Sequence, residues 1–164
     1  MAASPARTSP RWPRRLVVLA AALLLAAAWG CLVQTHLNLR ALTPFVEIPA
    51  TLWLRTMLQD LAGFGPAYAG IVQAAWLPGL PVAALLARRR PALRVTLFAL
   101  AGVAALLVAF ACINALAPMP ALIDATRTLG GQLLMALGSG LGAGLYALLT
   151  RPRVPAALQA NAAR

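Results

Sequence analysis

The sequence predicts an all-α integral membrane protein: a four-transmembrane-helix bundle with an amphipathic interfacial helix between the first and second spans. Three observations carry that expectation. The 164 residues are 62% hydrophobic and 10% charged, with a mean hydropathy of +0.81. That balance suits a chain whose apolar side chains end in lipid rather than in a small buried core. The apolar residues also gather into four runs long enough, at about 1.5 Å per residue, to cross a hydrocarbon layer about 30 Å thick. Finally, all 14 basic residues are arginines, and they cluster between and beyond these runs.

Residues 1–15 are basic and interrupted by Pro5, Pro10 and Pro13, so an unstructured tail is expected there. Span one is expected over 16–33. Its arginine-rich start is also the pattern of a secretory signal peptide. Ala28-Trp29-Gly30-Cys31 has the outline of a bacterial lipoprotein box, but Trp29 stands where a small residue is preferred, which argues against lipidation of Cys31.

In the loop that follows, His36, Asn38 and Arg40 alternate with Leu37, Leu39 and Ala41, which suggests a short extended stretch ending at Thr43-Pro44. Over 49–62, Ala50, Trp53, Leu54, Met57, Leu58 and Leu61 recur on one helical face, and Thr51, Arg55, Thr56, Gln59 and Asp60 on the other. Pro49 suits the first turn and Gly63 the position just past the end. Such a helix should lie flat on the outer surface, with Trp53 at headgroup depth.

Span two is expected over 66–87 and should kink at Pro78 and Pro81, each of which lacks a backbone donor. Span three, 95–117, stops at Pro118 and Pro120. The next loop holds Asp124 and Arg127, spaced for a weak local pair. Span four, 129–149, ends at Arg151-Pro152 and leaves a second tail over 150–164.

The arginines orient this scheme. Arg7, Arg11, Arg14, Arg15, Arg88, Arg89, Arg90, Arg94, Arg151, Arg153 and Arg164 fall on one side of it. Arg40, Arg55 and Arg127 fall on the other, matched in number by Glu47, Asp60 and Asp124, the only acids in the chain. An even number of spans puts both termini on one side, and the positive-inside rule makes that side cytoplasmic. Trp29, Trp53 and Tyr68 then fall near the outer interface, Trp12 and Tyr146 near the inner one, as an aromatic belt requires. The absence of lysine and the weight of Ala, Arg, Gly and Pro indicate a GC-rich, bacterial genome, so the expected location is a bacterial inner membrane. A pI near 11.9 would suit nucleic acid if these arginines lined a soluble face. They flank apolar spans instead, so nucleic acid is not an expected partner. Membrane lipids are, with anionic headgroups meeting the clusters at 88–94 and 151–153.

The residues that could carry chemistry are few, and no cofactor is expected. A membrane haem needs paired intramembrane histidines, and the chain has one histidine, His36. Thiol–quinone exchange needs a reactive cysteine pair, typically CxxC, whereas Cys31 and Cys112 stand far apart and read as two inert buried thiols. A proton-coupled exporter needs a carboxylate inside a span, and all three acids lie in loops. Neither an HExxH zinc motif nor a Ser/His/Asp set is present.

Two features remain. Gln34, His36, Gln73, Asn114 and Gln132 map to the outer half of the spans, where they could bond helix to helix or line an outward pocket with Arg40 or Arg55. Span four carries Gly138, Gly140, Gly142 and Gly144, two interleaved GxxxG rows that let another backbone approach, within the chain or from a second copy. The expected function is therefore a non-enzymatic structural or accessory subunit that packs with itself or a larger membrane complex. The alternative is small-molecule or lipid binding or transport through the outer polar pocket.

Overall fold

The computed structural model describes residues 12–116, 126 and 128–151. Five α-helices follow one another: α1 (Trp12–Leu42), α2 (Ala50–Gly63), α3 (Gly65–Arg89), α4 (Arg94–Leu116) and α5 (Leu129–Leu149), with a 3₁₀ turn at Pro91–Leu93. No strand occurs among the described residues. Four of the helices, α1, α3, α4 and α5, are long and apolar enough to cross a membrane.

These four close a ring in chain order, α1 on α3, α3 on α4, α4 on α5 and α5 back on α1. The most enclosed member is α5: half of its apolar window is buried, against 22–28% for the other three. Small residues explain this. A Cβ added at Gly142 would stand 2.6 Å from the carbonyl oxygen of Ala22 on α1, and the Trp29 ring covers Gly138. On the other side, a Cβ at Gly140 would stand 3.0 Å from the Ala99 carbonyl oxygen of α4, and Gly144 lies opposite Ala99 and Val95. Both glycine rows of α5 therefore serve contacts within the chain. Where α4 meets α5, Gly102 presses on the Ser139 backbone.

Hydrogen bonds tie the same helices together. Trp76 Nε1 on α3 donates to Ser139 Oγ on α5 (2.9 Å), and Ser139 Oγ donates to the Gly102 carbonyl on α4 (2.8 Å). Trp29 Nε1 on α1 donates to the Leu134 carbonyl on α5 (2.9 Å). Interhelical bonds in apolar surroundings contribute about 0.6 kcal/mol on average, so their larger effect is to set rotation and register.

Several elements depart from the sequence expectations. Helix α1 starts at Trp12 rather than 16 and continues through the stretch read as extended, to Leu42. Its 31 residues span about 46 Å. The alternation of polar and apolar residues over 36–41 was short enough to mislead. What decides the conformation is a second row, Cys31, Thr35 and Leu39, which is buried at helical spacing.

Pro49 caps α2 in an extended conformation instead of opening its first turn, and Gly63 is its last helical residue. The turn into α3 takes only Phe64, whose αR backbone leaves no role for a left-handed glycine. Helix α3 runs through Pro78 and Pro81 without a break. Tyr68, near the start of α3, is fully buried: its ring occupies the space above Gly30 and stacks on Phe64. Thr128 caps α5 by accepting from Gly131 N (3.1 Å). The Asp124–Arg127 pair and the two tails, residues 1–11 and 152–164, lie outside the described residues.

The described arginines also divide in use. Arg14, Arg15, Arg88, Arg89, Arg90, Arg94 and Arg151 all sit at one end of the ring, with Arg40 and Arg55 toward the other. Two of the seven are engaged inside the chain. Arg94 Nε donates to the Ala147 carbonyl (3.5 Å) and its Nη2 to Thr150 Oγ1 (3.3 Å), while its guanidinium lies 4.7 Å from the Phe98 ring centroid. Arg14 Nη2 donates to the Leu149 carbonyl (3.4 Å). Both meet the C-terminus of α5, where unpaired carbonyls and the negative end of the helix dipole attract cations.

Candidate functional site

The residues expected to form an outer polar cluster do not converge. Gln34 is buried on α1 and engaged. His36 is exposed, with its ring 5.1 Å from that of Trp53. Gln132 donates from Nε2 to the Thr126 carbonyl (2.7 Å). Asn114, Arg40 and Arg55 are exposed on α4, α1 and α2. Gln73 is exposed on α3, with no hydrogen-bond partner among the described residues.

What is built at that end is a junction between α1 and α2. Thr35 Oγ1 lies 2.8 Å from Asp60 Oδ2 and 3.0 Å from the Cys31 carbonyl. Asp60, expected on a solvated face, instead faces α1. The helix has three sides. Trp53, Met57 and Asp60 are half-buried toward α1, Arg55 and Gln59 are exposed on the polar side, and Leu54, Leu58 and Leu61 form an exposed apolar row. No α2 residue is fully buried. Two buried polar atoms near this junction, Asn38 Oδ1 and the Tyr68 hydroxyl, have no partner among the described residues.

The cysteines are both free. Cys31 is buried, whereas Cys112, also expected to be buried, is exposed.

Two grooves run between helices on the outside of the ring, each of about 590 Å³. The first lies between α3 and α4. Ala74, Pro78 and Gly79 form one wall, Ala101, Ala104 and Ala105 the other, and Cys112 stands further along α4. The second lies between α1 and α3, walled by Leu16, Leu19 and Leu23 and by Leu77, Pro81 and Ala84. Its ends differ: Gln73 is at one, and the other approaches the arginine-rich end of the ring.

No protein-family model, curated protein or solved structure matches this chain. Any functional reading therefore rests on these residues alone. Neither groove was legible beforehand. The alanines of α4 fall into a row at helical spacing, but nothing in the sequence says that the facing part of α3 is also built of small residues. The Trp76–Ser139–Gly102 chain was equally hidden, because it joins residues 37 and 63 positions apart.

Proposed function

We propose that this chain is a multi-pass bacterial inner-membrane protein that works by helix packing rather than by chemistry: a structural or accessory subunit that associates laterally with a second copy of itself or with a larger membrane complex. In this reading both termini are cytoplasmic, and α2 lies at the outer interface with Leu54, Leu58 and Leu61 toward lipid and Arg55 and Gln59 toward water. The gathering of all seven arginines of the helix ends at 12–15, 88–94 and 151 on one end of the ring supports this orientation. Reporter fusions after residues 60 and 125 are expected outside, and those after 92 and 158 inside; the inverse pattern would overturn the orientation.

The observation that carries the packing role is the α3/α4 groove. The polar side chains between helices are largely committed to bonds within the chain, whereas this trough of small residues is left open. Small residues let a further helix backbone approach closely enough for dispersion contacts, the main attraction between helices in lipid. Cys112 offers a direct test, since Cys31 is sealed inside. Membrane-permeant bismaleimide applied to native membranes should join the Cys112 thiol to a cysteine thiol on a neighbouring helix, which in a second copy is its own Cys112, and differently tagged copies expressed together will show whether that neighbour is a second copy. Ala104→Phe, which fills the groove from an exposed position, should remove the product. A monomer by native mass in mild detergent, with no Cys112 adduct in the membrane, would count against the role.

A further inference from the structure

We infer that the α1/α3 groove is a binding site for one anionic phospholipid of the cytoplasmic leaflet, with an acyl chain in the groove and the phosphate at Arg88. The inference rests on the membrane orientation proposed above and is separate from the packing role of the α3/α4 groove.

The two walls end in matched fashion. Along α3, Arg88 follows Ala84, Pro81 and Leu77 by 4, 7 and 11 residues, spacings that return to one helix face. Along α1, Trp12 precedes Leu16, Leu19 and Leu23 by the same three intervals. The groove therefore opens, at the arginine-rich end, between a guanidinium and an exposed indole. A guanidinium holds phosphate through paired, charge-assisted hydrogen bonds, and an indole sits well at headgroup depth.

Arg88 is available for this. It is exposed, as are its neighbours Arg89 and Arg90, and none of the three has a hydrogen-bond or ion-pair partner among the described residues. Arg14 and Arg94, at the same end, are already held by α5. The depth also fits. From Ala84 to Gln73 the groove runs about 16 Å along α3, close to one leaflet of a core about 30 Å thick. The Gln73 amide ends the apolar stretch there, so the site takes a tail of one leaflet's length. A zwitterionic headgroup would place a second cation beside this cluster, whereas a net anion meets only positive charge.

The test uses the full chain. First, it is mixed with vesicles of phosphatidylcholine and phosphatidylglycerol and floated through a density gradient. The floated protein is then taken into mild detergent, and retained lipid is counted by native mass spectrometry. One phosphatidylglycerol per chain should be retained in preference to phosphatidylcholine. Arg88→Ala should lower that retention about five-fold, and Arg88→Lys should recover part of it. Ala20→Phe, which narrows the groove from an exposed position while leaving Arg88 intact, should lower it as well. Arg151→Ala should leave it unchanged. Equal retention of the two lipids, or retention indifferent to both Arg88→Ala and Ala20→Phe, would overturn the site while leaving the membrane reading intact. A chain that fails to float would overturn both.

Discussion

Replacing Gly142 by valine is expected to prevent the bundle from closing. The new Cβ would stand 2.6 Å from a backbone oxygen of α1, and 3.1 Å from both the Ala26 Cβ and the Trp76 ring. A backbone oxygen within a helix cannot step aside as a flexible side chain can, so α1 must move as a body. Overpacking of this kind costs about 1–3 kcal/mol where neighbours can adjust, and the upper end or beyond is expected here. Gly144→Ala is the matched comparison. Its Cβ would meet Ala99 Cβ at 3.5 Å, an ordinary contact, and alanine is the better helix former by about 1 kcal/mol. Thermal midpoints of the detergent-solubilised protein, read by size-exclusion profile after heating, should fall steeply for Gly142→Val and hold or rise for Gly144→Ala. Equal effects would show that α5 does not meet α1 as described.

Ser139→Ala should give the second large loss. The hydroxyl accepts from Trp76 and donates to the Gly102 carbonyl, so its removal strands a buried indole N–H between three helices. Stranding a buried donor costs about 1–3 kcal/mol. Trp76→Phe removes the donor instead and trims the ring, so it should also destabilise. The informative quantity is the double-mutant cycle. Once either partner is gone, deleting the other should cost less, with a coupling of about 0.6 and up to roughly 1.7 kcal/mol. Reversible unfolding in mixed micelles measures it. Strict additivity would mean that the two side chains do not share this bond.

The sequence spoke well where a rule depends on local pattern and poorly where it depends on what faces a residue. Hydropathy and helix punctuation placed α5 at 129–149 and α2 within a residue of its observed limits. The same reasoning ended α1 a full two turns early, because polar residues at 34–38 look like a loop until Gln34 and Thr35 are seen buried, Thr35 against Asp60 of α2. For Tyr68 the sequence indicated a depth but not a partner, for a related reason. An aromatic residue near a span end suits an interface, but only the opposing Gly30 shows that there is room for it inside. Asp60 on a polar helix face and Arg94 in a basic cluster suit solvent and headgroups by pattern, yet both reach into neighbouring helices. Side-chain partners across the ring are long-range facts, and one chain read alone does not carry them.

The enclosed position of α5 has a consequence for how the protein is made. The helix that touches both α1 and α4 and completes the Trp76 bond is the last of the five to leave the ribosome. Until it arrives, the sides of Ala22, Ala26 and Gly102 that meet α5 stay uncovered and the Trp76 N–H lacks its Ser139 acceptor. A nascent chain that stops after α4 is therefore an open-sided intermediate, its unfilled side exposed to proteases and to unrelated helices. Translation arrested before residue 129 would yield such a product, and the arrival of α5 is the event that seals it.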